Sequence, residues 1–302
     1  MIKTLWSHAK TMVRLILMIG ALLALPMTAR AEDPFDINAL PIDDENRFSN
    51  VGAFIVAVVD DDGNVVGRRA HCSGTLIDKQ VLLTAGHCTG PGKFGIPPFL
   101  RLFVSLAVDA LDQATWLPVT RVVPHPSLPP CPGPPGCDPT TQDVFHAGDP
   151  GIADTGLVFL SQPVLDLAPA KLAAPGFLET RKGARTPMTI VGYPLPSPDA
   201  EESDWDGLRR FRTSRLTAVL DDTWATWSLP SDVCFDDSGA PIFLNLRPGG
   251  GAQTERLVAN VSDGGIDCLS ANTNARLDTE AVQTWIRQTI KEVLGESLET
   301  NN

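Results

Sequence analysis

The chain has 302 residues, 43% of them hydrophobic and 20% charged, the proportions of a folded protein and not of a disordered one. Its 24 Lys and Arg against 36 Asp and Glu give a formal charge of −12, which excludes the basic footprint that nucleic acids and anionic lipid surfaces select. With 26 prolines and 25 glycines, long helices have little room and a turn-rich β architecture is favoured.

Lys3, Lys10 and Arg14 precede an apolar run from Leu15 to Leu25, and the stretch ends Ala29-Arg30-Ala31. A positive start, a short hydrophobic middle and a small-x-small end are the parts of a secretory signal, so residues 1–31 are expected to direct export to an extracellular or periplasmic location. The run is too short to span a bilayer, which takes about 20 residues, and no later stretch is long enough. Removing residues 1–31 removes four positive charges and no acidic ones, leaving −16 and no membrane attachment. Six cysteines remain, an even number suited to disulfides in an oxidising compartment, with their connectivity open at this point.

Residues 32–50 are acidic and polar and read as a lead-in or a possible propeptide. VGAFIVAVV (51–59) and VVG (65–67) flank DDDGN, a strand–turn–strand pattern that outweighs the calcium-binding reading of those acids. GTLI (74–77), QVLLTA (80–85), LRLFVSLAV (100–108), TWLPVTRVV (115–123) and TGLVFL (155–160) continue as short strands. Residues 124–139 hold eight prolines, which makes them an exposed loop. After a linker near 163–186, a second group follows: MTIVGY (188–193), RFRTSRLTAVL (210–220), TWATWSL (223–229), PIFLNL (241–246) and RLVANVS (256–262). The tail is expected to form a helix over 279–294, capped by Asp278, with Ala281, Val282, Trp285, Ile286 and Ile290 on one face and 295–302 beyond it. Two clusters of strands and one terminal helix predict an all-β protein of two barrels, about 51–165 and about 185–277, plus a C-terminal helix.

Three segments carry candidate chemistry. His87 closes LLTAGHC at the end of an apolar strand, whereas His71 and His125 have no acid–base partner evident in the sequence and His146 lies in the loop DVFHAGDP. Ser238 stands in CFDDSGAP, a pattern compatible with a sharp exposed turn. A serine hydroxyl is a weak nucleophile until a base takes its proton, and a neutral imidazole is best suited to do so at pH 7. The imidazole in turn needs a carboxylate to hold its tautomer and balance its charge. Asp154, in IADTGLVFL directly before an apolar strand, is the candidate.

TAGHC, ADTGLVFL and DDSGAP, in that order, resemble the three catalytic motifs of the chymotrypsin/trypsin-like serine proteases. CSGTLI, HPSL (125–128), NVSDGG (260–265) and the final helix resemble further stretches of that family, and the likeness covers nearly all of 50–294. The resemblance implies two six-stranded antiparallel barrels with a cleft between them, His87 and Asp154 coming from the first and Ser238 from the second. It implies disulfides Cys72–Cys88 and Cys234–Cys268, which leaves Cys131 with Cys137 in the proline-rich loop. It assigns the oxyanion hole to the backbone N–H groups of Asp236 and Ser238, and substrate contacts to Ser262 and Gly264. Asp232, six residues before Ser238, matches the acid at the base of the primary pocket in members that cleave after Arg or Lys.

The chain departs from the family at three points. Asp236 stands where the family keeps glycine, and Asp263 where it keeps tryptophan. Asp237 matches the acid that pairs with an ammonium freed by activation, yet no clean activation site is present and Arg47-Phe48 is the nearest candidate. The expected function is a secreted serine endopeptidase acting on polypeptides, a monomer open to protein inhibitors, with no metal, cofactor or nucleic acid. The rival expectation is a protease-like binding protein with weak or no turnover because of Asp236. An α/β-hydrolase is disfavoured because it needs the order Ser, acid, His.

Overall fold

The computed structural model describes residues 35–93, 99–129, 147–181, 186–227, 232–244 and 255–295. The export signal, Cys131, Cys137, His146 and residues 296–302 lie outside the described residues.

β1 (Val51–Val59) is apolar throughout and buried on both faces save at Val58. It pairs antiparallel with β2 (Val65–Asp78), and β2 pairs with β3 (Val81–Thr84). β4 (Leu100–Ser105), β5 (Trp116–Pro124) and β6 (Gly156–Leu160) complete a closed barrel in the order β1-β2-β3-β6-β5-β4. Phe54, Leu76, Leu82, Val104 and Val158 belong to one buried apolar cluster. The DDDGN segment forms the β1–β2 turn, where Asp60 Oδ1 accepts the N–H groups of Asp62 and Asn64.

A two-residue strand, β7 (Lys171–Leu172), lies in the connection between the barrels. β8 (Pro187–Gly192), β9 (Arg210–Val219), β10 (Trp224–Trp227), β11 (Pro241–Leu244), β12 (Arg256–Asp263) and β13 (Thr273–Arg276) build the second barrel, in the order β11-β8-β9-β10-β13-β12 and closed by β11–β12 pairing. β7 adds to β12 in parallel. The fold is thus two closed six-stranded antiparallel barrels and one C-terminal helix.

Three local expectations are corrected. Residues 65–67 and 74–77 are one strand, because the polar RRAH stretch between them continues the ladder to β1 through Arg69 and Ala70. Gly74 permits this packing, since a Cβ there would meet Leu82 Cδ2 at 2.6 Å and Leu83 O at 2.7 Å. β13 has no apolar run to betray it: Asn274 and Arg276 are buried and bonded instead, Arg276 to Asp278 at 3.0 Å and to Glu179 at 2.9 Å. That pairing also removes Asp278 from the capping role. The helix α1 (Glu280–Leu294) is capped by the Thr279 side chain, which accepts from Val282 N, and ends on Gly295 in the left-handed conformation (φ 72°). Val282, Ile286 and Ile290 form its buried stripe, while Ala281 is exposed and Trp285 packs edge-on against His125. Among the described residues no helix is long and apolar enough to cross a membrane.

The lead-in is built into the body. Asp43 is buried and accepts from Arg47 N, Phe48 N and the fully buried Arg209 Nε at 3.0 Å. Arg209 Nη1 donates to Val51 O and Leu106 O, two carbonyls of the first barrel. Phe35, Ile37 and Leu40 pack against the Cys234–Cys268 bridge.

Candidate active site

The β3–β6 pairing explains how residues 67 positions apart meet. Thr84 lies opposite Gly156, so the chain leaving β3 and the chain entering β6 emerge at the same end of the barrel. His87 follows the first and Asp154 precedes the second. Asp154 is fully buried and accepts from His87 Nδ1 at 2.8 Å through Oδ2 and from the His87 backbone N–H at 2.8 Å through Oδ1. Ser262 Oγ, from β12, donates to the same Oδ2 at 2.5 Å. The bond to Asp154 places the ring proton on Nδ1 and leaves Nε2 as the acceptor, on a side chain that is 37% exposed.

This arrangement sets the charges. Burial alone would push Asp154 up; the His87 charge and the hydrogen bonds from the ring, Ser262 and the His87 amide carry it below the usual carboxylate range. Partial burial works against the His87 cation, but the charge and hydrogen bond of Asp154, with the charge of Asp263, raise its pKa above the ordinary 6.5. His71 is the contrast: burial drives it down to about 4, and its Nε2 lies 2.9 Å from Cys88 O. His125, pushed to about 4 by burial, is bonded to Ser127.

Ser238 enters from the other barrel, in the loop before β11. Its carbonyl accepts from Ser73 N at 2.8 Å and lies 3.9 Å from Sγ of Cys88, the residue after His87. Gly239 makes this approach possible: at φ 82°, any Cβ would sit 2.1 Å from Thr84 Oγ1 and 2.4 Å from Ser73 O. Among the described residues the Ser238 hydroxyl and N–H take part in no hydrogen bond, that to His87 included. Catalytic hydrogen bonds are often long before substrate arrives and tighten in the complex.

The turn carrying the oxyanion candidates is explicit. Asp237 N donates to Cys234 O at 3.2 Å, with Asp236 in the left-handed region at φ 67°, the pattern of a type II turn. That conformation costs a residue with a Cβ about 1–2 kcal/mol, and Asp bears it better than most. Ser73 Oγ secures the turn by donating to Asp236 O at 2.9 Å.

Asp237 is fully buried, and its partner is not an amino terminus but Arg212 of β9, whose Nη2 lies 2.5 Å from Asp237 Oδ2. The same carboxylate accepts from Cys234 N at 3.0 Å. Burial pushes the Asp237 carboxyl up and the Arg212 charge holds it back. At the Arg47–Phe48 bond Phe48 is buried, and both backbone N–H groups are held by Asp43. Asp232 sits half-buried at φ 51°; burial raises its pKa, opposed by the charge of Arg212.

Cys72–Cys88 and Cys234–Cys268 are disulfides, as the resemblance implies. Cys72, His87 and Cys88 come within 4.8 Å of one another, but the two sulfurs are bonded together and offer no thiolate to a metal. Gly264 packs over Val233, 3.2 Å from its carbonyl oxygen at the position of a Cβ.

Sequence reasoning missed Ser73 and Arg212 and did not foresee that Ser262 holds Asp154. It also passed over Asn260, which donates to Asp154 O at 3.0 Å. The CSGTLI motif contained Ser73, but nothing in it announced a contact across the barrels. No protein-family model matches the chain, and comparison with curated proteins finds no similar sequence.

Proposed function

We propose that this protein is an exported serine endopeptidase of the chymotrypsin/trypsin-like kind. The single observation that carries the reading is the buried Asp154, bonded twice to His87 and once to Ser262, at a cleft edge that Ser238 enters from the second barrel. Ser238 Oγ attacks the scissile carbonyl while His87 Nε2 takes its proton. His87 then returns the proton to the leaving amine, and water repeats the sequence on the acyl-enzyme. Asp154 fixes the ring and balances its cation. The backbone N–H groups of Asp236 and Ser238 receive the developing oxyanion.

Cleavage after Arg or Lys is supported by the match of Asp232 to the acid at the base of the primary pocket. Arg212 is paired with Asp237, and Asp232 is a half-buried carboxylate whose pKa burial raises, so a cationic substrate side chain would stabilise its charge. The two disulfides accord with an oxidising compartment.

A fluorophosphonate probe is expected to label Ser238, and Ser238→Ala or His87→Ala to abolish labelling. A folded protein that no probe labels would remove the reading. The acid limb of kcat/KM is expected to have its midpoint above 6.5, because the base must be neutral and its pKa is raised, so rate falls as pH drops through that value. A pH–rate profile on an arginine ester checks it.

Asp236 favours a second reading, a binding protein of low turnover, since its carboxylate adjoins the N–H that would hold a negative oxygen. Asp236→Gly relieves the left-handed strain and removes the charge. Losing one oxyanion donor costs roughly 10²–10³ in kcat, so a gain of that size from a near-zero start would establish the low-turnover reading. A change within a few-fold of an already substantial rate would dismiss it.

A further inference from the structure

We propose that Asp263 is a second specificity determinant, a carboxylate that receives the basic side chain of the residue preceding the one cleaved, so that the preferred substrates carry paired basic residues. This rests on the endopeptidase reading and adds a substrate class to it.

The placement comes from three consecutive residues at the end of β12. Ser262 Oγ is tied to Asp154, so the strand passes directly behind the His87 pair. Two residues on, Gly264 lies against Val233, the neighbour of Asp232. The strand end therefore runs from the Asp154–His87 pair to the segment that carries Asp232, and Asp263 is the residue between. One of its edges is occupied, Asp263 facing Thr273 of β13. The pairing with β11 on the other edge stops at Asn260, opposite Pro241, and Val261 bonds Gly239 and Ala240, the residues after Ser238; among the described residues no strand pairs with that edge of 262–264. An extended peptide on that edge turns successive side chains to opposite sides. When the one at the scissile bond drops towards Asp232, the preceding one faces His87 and Asp263.

Asp263 suits a cation there. It is exposed at the strand end, and no Lys or Arg pairs with it among the described residues. It directly follows Ser262, whose hydroxyl reaches Asp154, and although burial raises its pKa the charge of His87 acts to lower it. Asp232 and Asp263 thus flank the cleavage position as two separate carboxylates, one half-buried and one at the rim.

The test uses the folded Ser238→Ala protein and two peptides that differ only in carrying arginine or alanine before a fixed arginine, with binding measured by calorimetry. The double-arginine peptide is expected to bind about three- to five-fold tighter, the range for a rim ion pair. Asp263→Asn is expected to bring that ratio to about one, while Asp232→Asn weakens both peptides. Equal binding of the two peptides, absence of binding, or a ratio that survives Asp263→Asn overturns the proposal. Fluorophosphonate labelling of the unsubstituted protein reads the endopeptidase question separately: a dibasic preference without labelling defeats catalysis and leaves the Asp263 site standing.

Discussion

Replacing Asp154 by asparagine is expected to lower kcat about 10⁴-fold while leaving the protein folded. The carboxylate takes three donors: the His87 ring, the His87 amide and the Ser262 hydroxyl. An amide has one acceptor oxygen, so its NH₂ must turn towards at least one of them. If it faces the ring, the imidazole is forced into the other tautomer and Nε2 carries a proton where it should accept one. If it faces the His87 amide instead, the ring bond survives but the site loses the charge that balances the imidazolium. Either way the base is disabled without a void, since the shape is conserved. The measurement is single-turnover hydrolysis of an arginine ester, with circular dichroism confirming the fold. A loss under ten-fold would show that this carboxylate serves the fold and not the reaction.

The second large effect lies below the oxyanion turn. Arg212→Met strips the cation that, among the described residues, pairs with Asp237 and leaves a fully buried carboxylate without a counter-charge, at a cost of about 3–5 kcal/mol. Asp237 also holds Cys234 N, so the turn that presents Asp236 and Ser238 loses its anchor. The variant is expected to unfold at markedly lower denaturant and to lose fluorophosphonate labelling of Ser238. Arg212→Met combined with Asp237→Asn is expected to regain most of the stability, because a neutral amide no longer demands a counter-charge. The ion pair also forms within the chain, so the unsubstituted protein is expected to label fully with no cut at Arg47. Labelling that appears only after limited trypsin treatment would contradict this.

The barrels and the Asp154–His87 pair were legible from the sequence for a physical reason. Strands buried on both faces, such as 51–59 and 156–160, must be apolar almost without interruption, and that run is visible in one dimension. The elements that escaped are those whose burial is polar. TNAR in β13 and RRAH in β2 earn their places through hydrogen bonds to residues far along the chain, and no periodicity encodes such a partner. Arg212 escaped for the same reason: it sits in an alternating strand where a charged residue reads as solvent-facing, and only the fold turns it onto Asp237. Asp278 misled because an acid before a helix resembles a cap whether or not an arginine two residues back has claimed it.

Arg209 and Ser73 each tie the barrels together, and both bond to Tyr193. The guanidinium of Arg209, rooted in the second barrel, is quenched by carbonyls of Val51 and Leu106 in the first. Ser73, rooted in the first, serves Tyr193, Asp236 and Ser238 of the second. Severing the connection around residue 172 would yield two fragments, each with a polar group stranded where its complement had been. The linker is therefore no seam along which the molecule divides into autonomous halves, and the cleft between the barrels is as fixed a part of the architecture as either sheet.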